Sequence, residues 1–174
     1  MHDLGLDIHK SKPSQEIDTP LIDAVEYASL RATEILLAAG ASVHDRNYDG
    51  RTAVQVSLEG CPNLDIISLL VHHGYDLSQL RSDGGTILEG IYYDRVEILS
   101  HLIALGANVN QRNNSGSTPL HYYANDDDVE VVRFLLEAGA DPSLLDANGL
   151  TAADLTNNPT LRAILKNADP VEET

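Results

Sequence analysis

The chain has 174 residues and a formal net charge of −16, from 27 Asp and Glu against 11 Lys and Arg, with 43% hydrophobic residues and one cysteine. Such a charge excludes nucleic acid and anionic membrane surfaces as natural partners, the apolar fraction excludes a disordered acidic tail, and the length suits about one domain with a real core. A lone Cys61 leaves no intramolecular disulfide, no apolar run approaches the roughly 18–20 residues that span a bilayer, and residues 1–18 lack the apolar centre of a signal peptide, so a cytoplasmic setting is expected.

Self-similarity organises the chain. Thr19, Thr52, Thr86, Thr118 and Thr151 recur at intervals of 33, 34, 32 and 33 residues, and two glycine series, Gly40-Gly74-Gly106-Gly139 and Gly50-Gly84-Gly116-Gly149, both step by 34, 32 and 33. In chain order this predicts an N-terminal extension over 1–18, partly ordered through Leu4, Leu6 and Ile8. Four repeats come next, over about 19–50, 51–84, 85–116 and 117–149, then a capping half-repeat over 150–166 and an acidic tail over 167–174. The second repeat carries one extra residue near Gly60-Cys61-Pro62-Asn63, and the third lacks one near Tyr93-Asp94.

Each repeat reads as two short helices and a turn. In the fourth, Thr118 caps the first helix with its hydroxyl and Pro119 takes the first helical position, where a missing N–H costs nothing. That helix stops near Asn125. A second starts at the aspartates and carries Val129, Val131, Val132, Leu135 and Leu136 at the spacing of a buried stripe, ended by Gly139. Equivalent stripes are Ile35-Leu36-Leu37, Ile66-Ile67-Leu69-Leu70 and Ile98-Leu99-Leu102-Ile103, while Leu161, Ile164 and Leu165 supply the cap.

Thr118-Pro119-Leu120-His121 with Ala124, Leu135-Leu136, Gly139-Ala140-Asp141 and Gly149 resembles an ankyrin repeat, as do Thr19-Pro20-Leu21 with Ala24 and Gly106-Ala107-Asn108-Val109-Asn110. The resemblance covers roughly 19–166 and implies an all-α repeat solenoid, an ankyrin-repeat stack of helix–turn–helix units joined by hairpin-like loops. It also implies that His121 ties its turn to the neighbouring one. The other repeats hold Ile22, Gln55, Glu89 and Asp154 at that position, so the inner ones are expected to lack the tie. A usually small position two residues on holds Ser57, Ile91 and Tyr123, which predicts irregular first-helix packing around 88–93. Asn110 resembles the asparagine that is hydroxylated in some animal ankyrin repeats.

No residue pattern calls for catalysis, a cofactor or a metal. His72-His73 precedes Gly74 at a helix C-terminus, where a partly positive imidazole suits the dipole, and no histidine pair sits at i, i+4. Asp126-Asp127-Asp128 lacks the alternating ligands and central glycine of a calcium loop and reads as helix capping, with surplus acids left for a binding face. Ser115-Gly116-Ser117 and Gly84-Gly85 read as turns, not as a nucleophile elbow or a phosphate loop, and Asn113-Asn114-Ser115 formally matches a glycosylation sequon.

The resemblance implies instead a protein partner, bound by hairpin tips and the exposed side of the first helices in a concave groove. Carried over by position, the tip row holds Arg46, Tyr48, Asp49 and Arg51, then Leu80, Arg81, Ser82 and Asp83, then Arg112, Asn114, Ser115 and Ser117, then Leu145, Ala147 and Asn148. The row at the first-helix ends holds Glu26, Tyr27, Glu59, Tyr93, Asp94, Asn125, Asp126 and Asp127 and is acidic throughout. Tyr92, Tyr122 and Tyr123 read either as groove anchors or as packing within the stack, with packing favoured for Tyr123. Two accounts of the acids stand side by side: a solvated face, or a surface for a basic partner that the arginines help to orient. The expected function is a non-catalytic, monomeric protein-interaction module, either an adaptor or a stoichiometric inhibitor or antidote masking a basic enzyme or toxin, with a metal-dependent enzyme a distant third.

Overall fold

A computed structural model describes residues 19–59 and 62–168. The expected N-terminal extension, Cys61 and the last six residues of the acidic tail lie outside the described residues. The chain divides into two compact units, Met1–Asp76 and Leu77–Thr174. The fold class is the expected all-α repeat solenoid of short helices joined by hairpin-like loops, and among the described residues the one β-type pairing outside helices is the Arg46–Thr52 bridge.

The first unit holds α1 (Pro20–Glu26), α2 (Leu30–Ala38), α3 (Ala53–Ser57) and α4 (Leu64–His72). Helix α1 packs on α2 and α3, and α4 packs on α2 and α3. Leu21, Ile22, Val25, Val54, Ile66, Ile67 and Leu70 are buried between them. The second unit holds α5 (Arg95–Ala104), α6 (Pro119–Asn125), α7 (Val129–Glu137), α8 (Ala152–Leu155) and α9 (Pro159–Ala168), with α6 packed on α7 and α8 and with α7 against α5 and α9. Its core is Leu99, Leu102, Leu120, Tyr123, Val132, Leu135, Leu161 and Leu165.

Helices this short hold little stability of their own, so their ends matter. The threonine series starts the first helices. The Thr19 hydroxyl accepts from the Ile22 amide at 3.3 Å, while Thr52 with Gln55, Thr118 with His121 and Thr151 with Asp154 form capping boxes. Ser29, Asn63 and Asp128 cap the second helices. The Gly40, Gly74, Gly106 and Gly139 series ends them: φ lies between 92° and 103°, and the next amide reaches back to a carbonyl five residues earlier, as in Ala140 to Leu135 at 2.8 Å. That is the Schellman closure, and it needs a residue without a Cβ penalty at φ > 0.

One expected helix is missing. Residues 86–93 hold one turn, at 87–88, followed by bends and irregular chain, so the irregularity predicted around 88–93 extends to the loss of the whole first helix of that repeat. Three local causes act together. Gly90 sits at φ 71° with the Arg81 guanidinium against it, the repeat is one residue short, and Ile87 stands where Pro119 pre-sets α6. The chain reaches α5 through Asp94 in the left-handed region, φ 39°, with no side-chain bond to the first turn of the helix.

Candidate interaction surface

The hairpin tips are built by side-chain acceptors. Asn47, Asn113 and Asp146 each accept, through Oδ1, the amides two and four residues on, at 2.8–3.1 Å. In the second unit successive tips are joined through the backbone, Asn114 N–H to Gly84 O at 3.0 Å and Ala147 N–H to Ser115 O at 3.1 Å. Arg112 donates to Gly116 O at 2.8 Å and Arg46 to Gly50 O at 2.6 Å, so both guanidiniums brace their own loops. Tyr48 stands out at 65% exposure.

Arginines and acids meet rather than occupying separate rows. Arg51 pairs with Asp49 at the tip and with Glu59 beyond the end of α3, and the Glu59 hydrogen bond holds its guanidinium above its ordinary value. Arg81 takes the place of the tip Asn or Asp. It grips Asp83 through two bonds, at 3.1 and 2.5 Å, and donates to Glu89 O at 2.6 Å. The Arg81 bonds in turn hold the Asp83 carboxyl below its ordinary range.

The first-helix ends differ in the same way. In the first unit Glu26 is exposed and Tyr27 is 82% exposed, beside Ala28 at φ 50°. These residues, with Val25, Val56, Glu59 and Ile66, line a recess of about 420 Å³. In the second unit Tyr92, Tyr93, Asp94 and Asn125 are exposed. The aspartates that sequence reasoning left partly free are engaged within the chain: Asp128 caps α7, Asp126 and Asp128 bind Arg95 at 3.1 and 2.5 Å, and Asp127 accepts from the buried Thr156 hydroxyl. The sequence reading missed Arg95. Its signal was a cation at a helix N-terminus, where the dipole disfavours one unless acids surround it.

Tyr123 is fully buried, as packing within the stack requires, and burial pushes its phenol up. The neighbouring Tyr122 meets it edge to face at 5.1 Å and remains partly exposed near Tyr92. His72 and His73 turn Nδ1 onto Ser68 O and Leu69 O at the end of α4, as helix-end groups.

The expected tie between turns takes two forms. His121 Nδ1 accepts from the Thr118 amide at 3.2 Å, which leaves Nε2–H to donate to Leu150 O at 3.1 Å. The inner repeats were expected to lack such a tie, yet Glu89 supplies one with reversed polarity. Its carboxylate, 3% exposed, accepts from the Thr86 hydroxyl at 3.1 Å and from Asn113 Nδ2 at 3.3 Å, in the next hairpin. Burial raises the Glu89 carboxyl above its ordinary range despite those donors. Gln55 keeps the capping bond, and its buried Nε2 has no partner among the described residues.

No group of three or more metal-capable side chains occurs among the described residues, and no helix among them is long and apolar enough to cross a membrane.

The family model described as ankyrin repeats (many copies) matches residues 102–155. The chain is 30% identical over 148 residues to the putative ankyrin repeat protein FPV230 of Fowlpox virus (strain NVSL), covering 84% of this chain and 78% of that protein. It is also 30% identical over 154 residues to the human ankyrin repeat and SOCS box protein 6, covering 82% of this chain and 36% of the relative. A mouse B-cell lymphoma 3 protein homolog is 29% identical over 135 residues, covering 74% of this chain and 30% of the relative. The chain thus spans about a third of the length of the last two.

Proposed function

The chain belongs to the ankyrin-repeat family of protein-interaction modules, and from that premise we propose that it acts without catalysis, as a monomer in the cytoplasm, by binding a partner with a basic contact face. The surface of this reading comprises Glu26, Tyr27 and Glu59 at the first-helix ends of the first unit, with Tyr92, Tyr93, Asp94 and Tyr122 in the second. Tip residues add to each, Tyr48 in the first unit and Asn114 and Ser115 in the second. The observation that carries it is the coincidence of exposed tyrosines with acids that make no ion pair among the described residues: Tyr27 at 82% beside Glu26, and Tyr92 at 72% near Asp94. Tyrosines give large contact area at low entropy cost, and complementary charge speeds encounter and excludes wrong partners.

Arg51, Arg81 and Arg95 are engaged within the chain in this reading, so orientation falls to the tyrosines. The alternative, a stoichiometric inhibitor or antidote masking a cationic enzyme site, is favoured by the net charge of −16.

The test is recovery of the partner from the native cell by the full chain and by the double variant Glu26→Lys, Asp94→Lys, which leaves the arginine-bound acids alone. The expected result is a partner captured by the wild type, eluted by salt and lost by the variant. Capture unaffected by both salt and variant overturns the basic-partner reading. Activity of a captured enzyme that falls to zero at equimolar chain marks the inhibitor.

A further inference from the structure

The missing first helix of the third repeat has a consequence at the N-terminal ends of α5 and α7. Tyr92, Asp94, Val96, Glu97, Glu130 and Val131, together with the Arg95–Asp128 pair, line a recess of about 500 Å³ wholly within the second unit. We propose that this recess is the docking site for an arginine side chain carried on a basic segment of a protein partner, an assignment that rests on the basic-partner reading above.

The occupant follows from the lining. Val131 is buried and Val96 half-buried, which gives an apolar floor for a methylene stem. Tyr92, 72% exposed, stands as a wall with an open ring face. Asp94, Glu97 and Glu130 make no ion pair among the described residues, whereas Arg95 is already shared between Asp126 and Asp128. The Asp94 carboxylate is not spent on the amides of α5 either.

The helix ends oppose a cation, with about half a positive charge each. Four carboxylates line the recess against the Arg95 guanidinium, so even after both helix ends are counted roughly two negative charges remain. The balance favours a cation. Arginine fits better than lysine because its flat guanidinium stacks on a phenol ring while its N–H fork meets carboxylates, and a point-charge ammonium does only the second. The volume exceeds that of one side chain, which leaves room for the backbone that carries it.

The test uses the full chain with fluorescein-labelled octa-arginine and octa-lysine as probes, followed by anisotropy at about 0.1 M salt, where surface charges still act over ~10 Å. The wild type is expected to bind octa-arginine several-fold more tightly than octa-lysine. Tyr92→Ala removes that preference, and Glu97→Gln with Glu130→Gln weakens both peptides about tenfold, a change of about one charge-pair contact. Asp65→Asn, in the other unit and outside the proposed contact surface, is expected to leave octa-arginine at its wild-type affinity. All these residues are exposed, and circular dichroism melts confirm that the variants fold.

Octa-arginine affinity that survives both second-unit variants overturns the docking site while leaving the basic-partner reading intact. Equal affinity for the two peptides in the wild type overturns the choice of arginine. A wild type that binds neither peptide, even in low salt, overturns the site and the reading together.

Discussion

Residues 86–93 and helix α6 start alike and end differently. Both open on a buried threonine, Thr86 or Thr118, and both place a buried polar side chain three residues on, Glu89 or His121. Only the second becomes a helix. Pro119 pre-sets the first turn of α6 and no glycine interrupts it, whereas Gly90 breaks the other segment at φ 71°. The polarity of the tie differs too: His121 donates to the next loop at Leu150 O, while Glu89 accepts from it at Asn113. A repeat can keep the hydrogen-bond link between turns and give up the helix that normally carries it. What it gains is an irregular segment that displays Tyr92 and Tyr93 instead of packing a helix there.

Removing the two ties should separate them most. His121→Ala strands the buried Thr118 amide, removes the donor to Leu150 O and leaves a cavity, and is expected to cost about 2–3 kcal/mol in urea unfolding. Glu89→Gln should behave differently because the wild-type group is charged. Burial raises the folded-state pKa of Glu89, with Arg81, Thr86 and Asn113 around the carboxylate, so the folded chain keeps the proton to higher pH than the unfolded chain. Wild-type stability therefore falls relative to Glu89→Gln as pH rises from about 4, the unfolded value, through the raised folded value. Stability curves that stay parallel across that window contradict a strained buried carboxylate.

Gly90→Ala asks whether the turn is dictated by backbone conformation. With φ at 71° and the added Cβ 2.8 Å from the Arg81 guanidinium, a loss of about 1–2 kcal/mol is expected by thermal or urea unfolding. Unchanged stability with increased helical circular dichroism means instead that the segment converts to a helix like α6. Arg95→Ala leaves Asp126 and Asp128 facing each other and is expected to cost about 1 kcal/mol, mostly lost in high salt. The smallest change has the opposite sign. Ala28 and Asp127 both take positive φ at the close of a first helix, and Asp127 is anchored by Thr156 where Ala28 has only a methyl group. Ala28→Gly should therefore stabilise by about 0.5–1 kcal/mol.

Much of the fold was legible because its signals are local. Threonines that start helices, glycines that close them and the valine–leucine stripe of α7 all lie within a few residues of the structure they create. Tyr123 was legible as packing because it fills a position that is usually small. Less of the surface was legible, since its partners are distant in sequence. Arg95 meets acids 31 and 33 residues away, Thr156 reaches back 29 to Asp127, and Glu89 meets Asn113 24 residues on. Such pairs arise from the stacking of repeats and leave no periodic trace. The net charge hid them as well, because an acid count says nothing of which acids are neutralised by the few arginines.

Hydrogen–deuterium exchange of the full chain, free and bound to its captured partner, tests the central claim most directly, that exposed tyrosines and free acids at the first-helix ends form the contact surface. Protection is expected to concentrate at residues 26–28 and at 92–97 and 126–130, with α2, α4 and the remainder of α7 unchanged. Protection confined to the hairpin tips around Tyr48, Asn114 and Asn148, with none at Tyr27 or Tyr92, contradicts it.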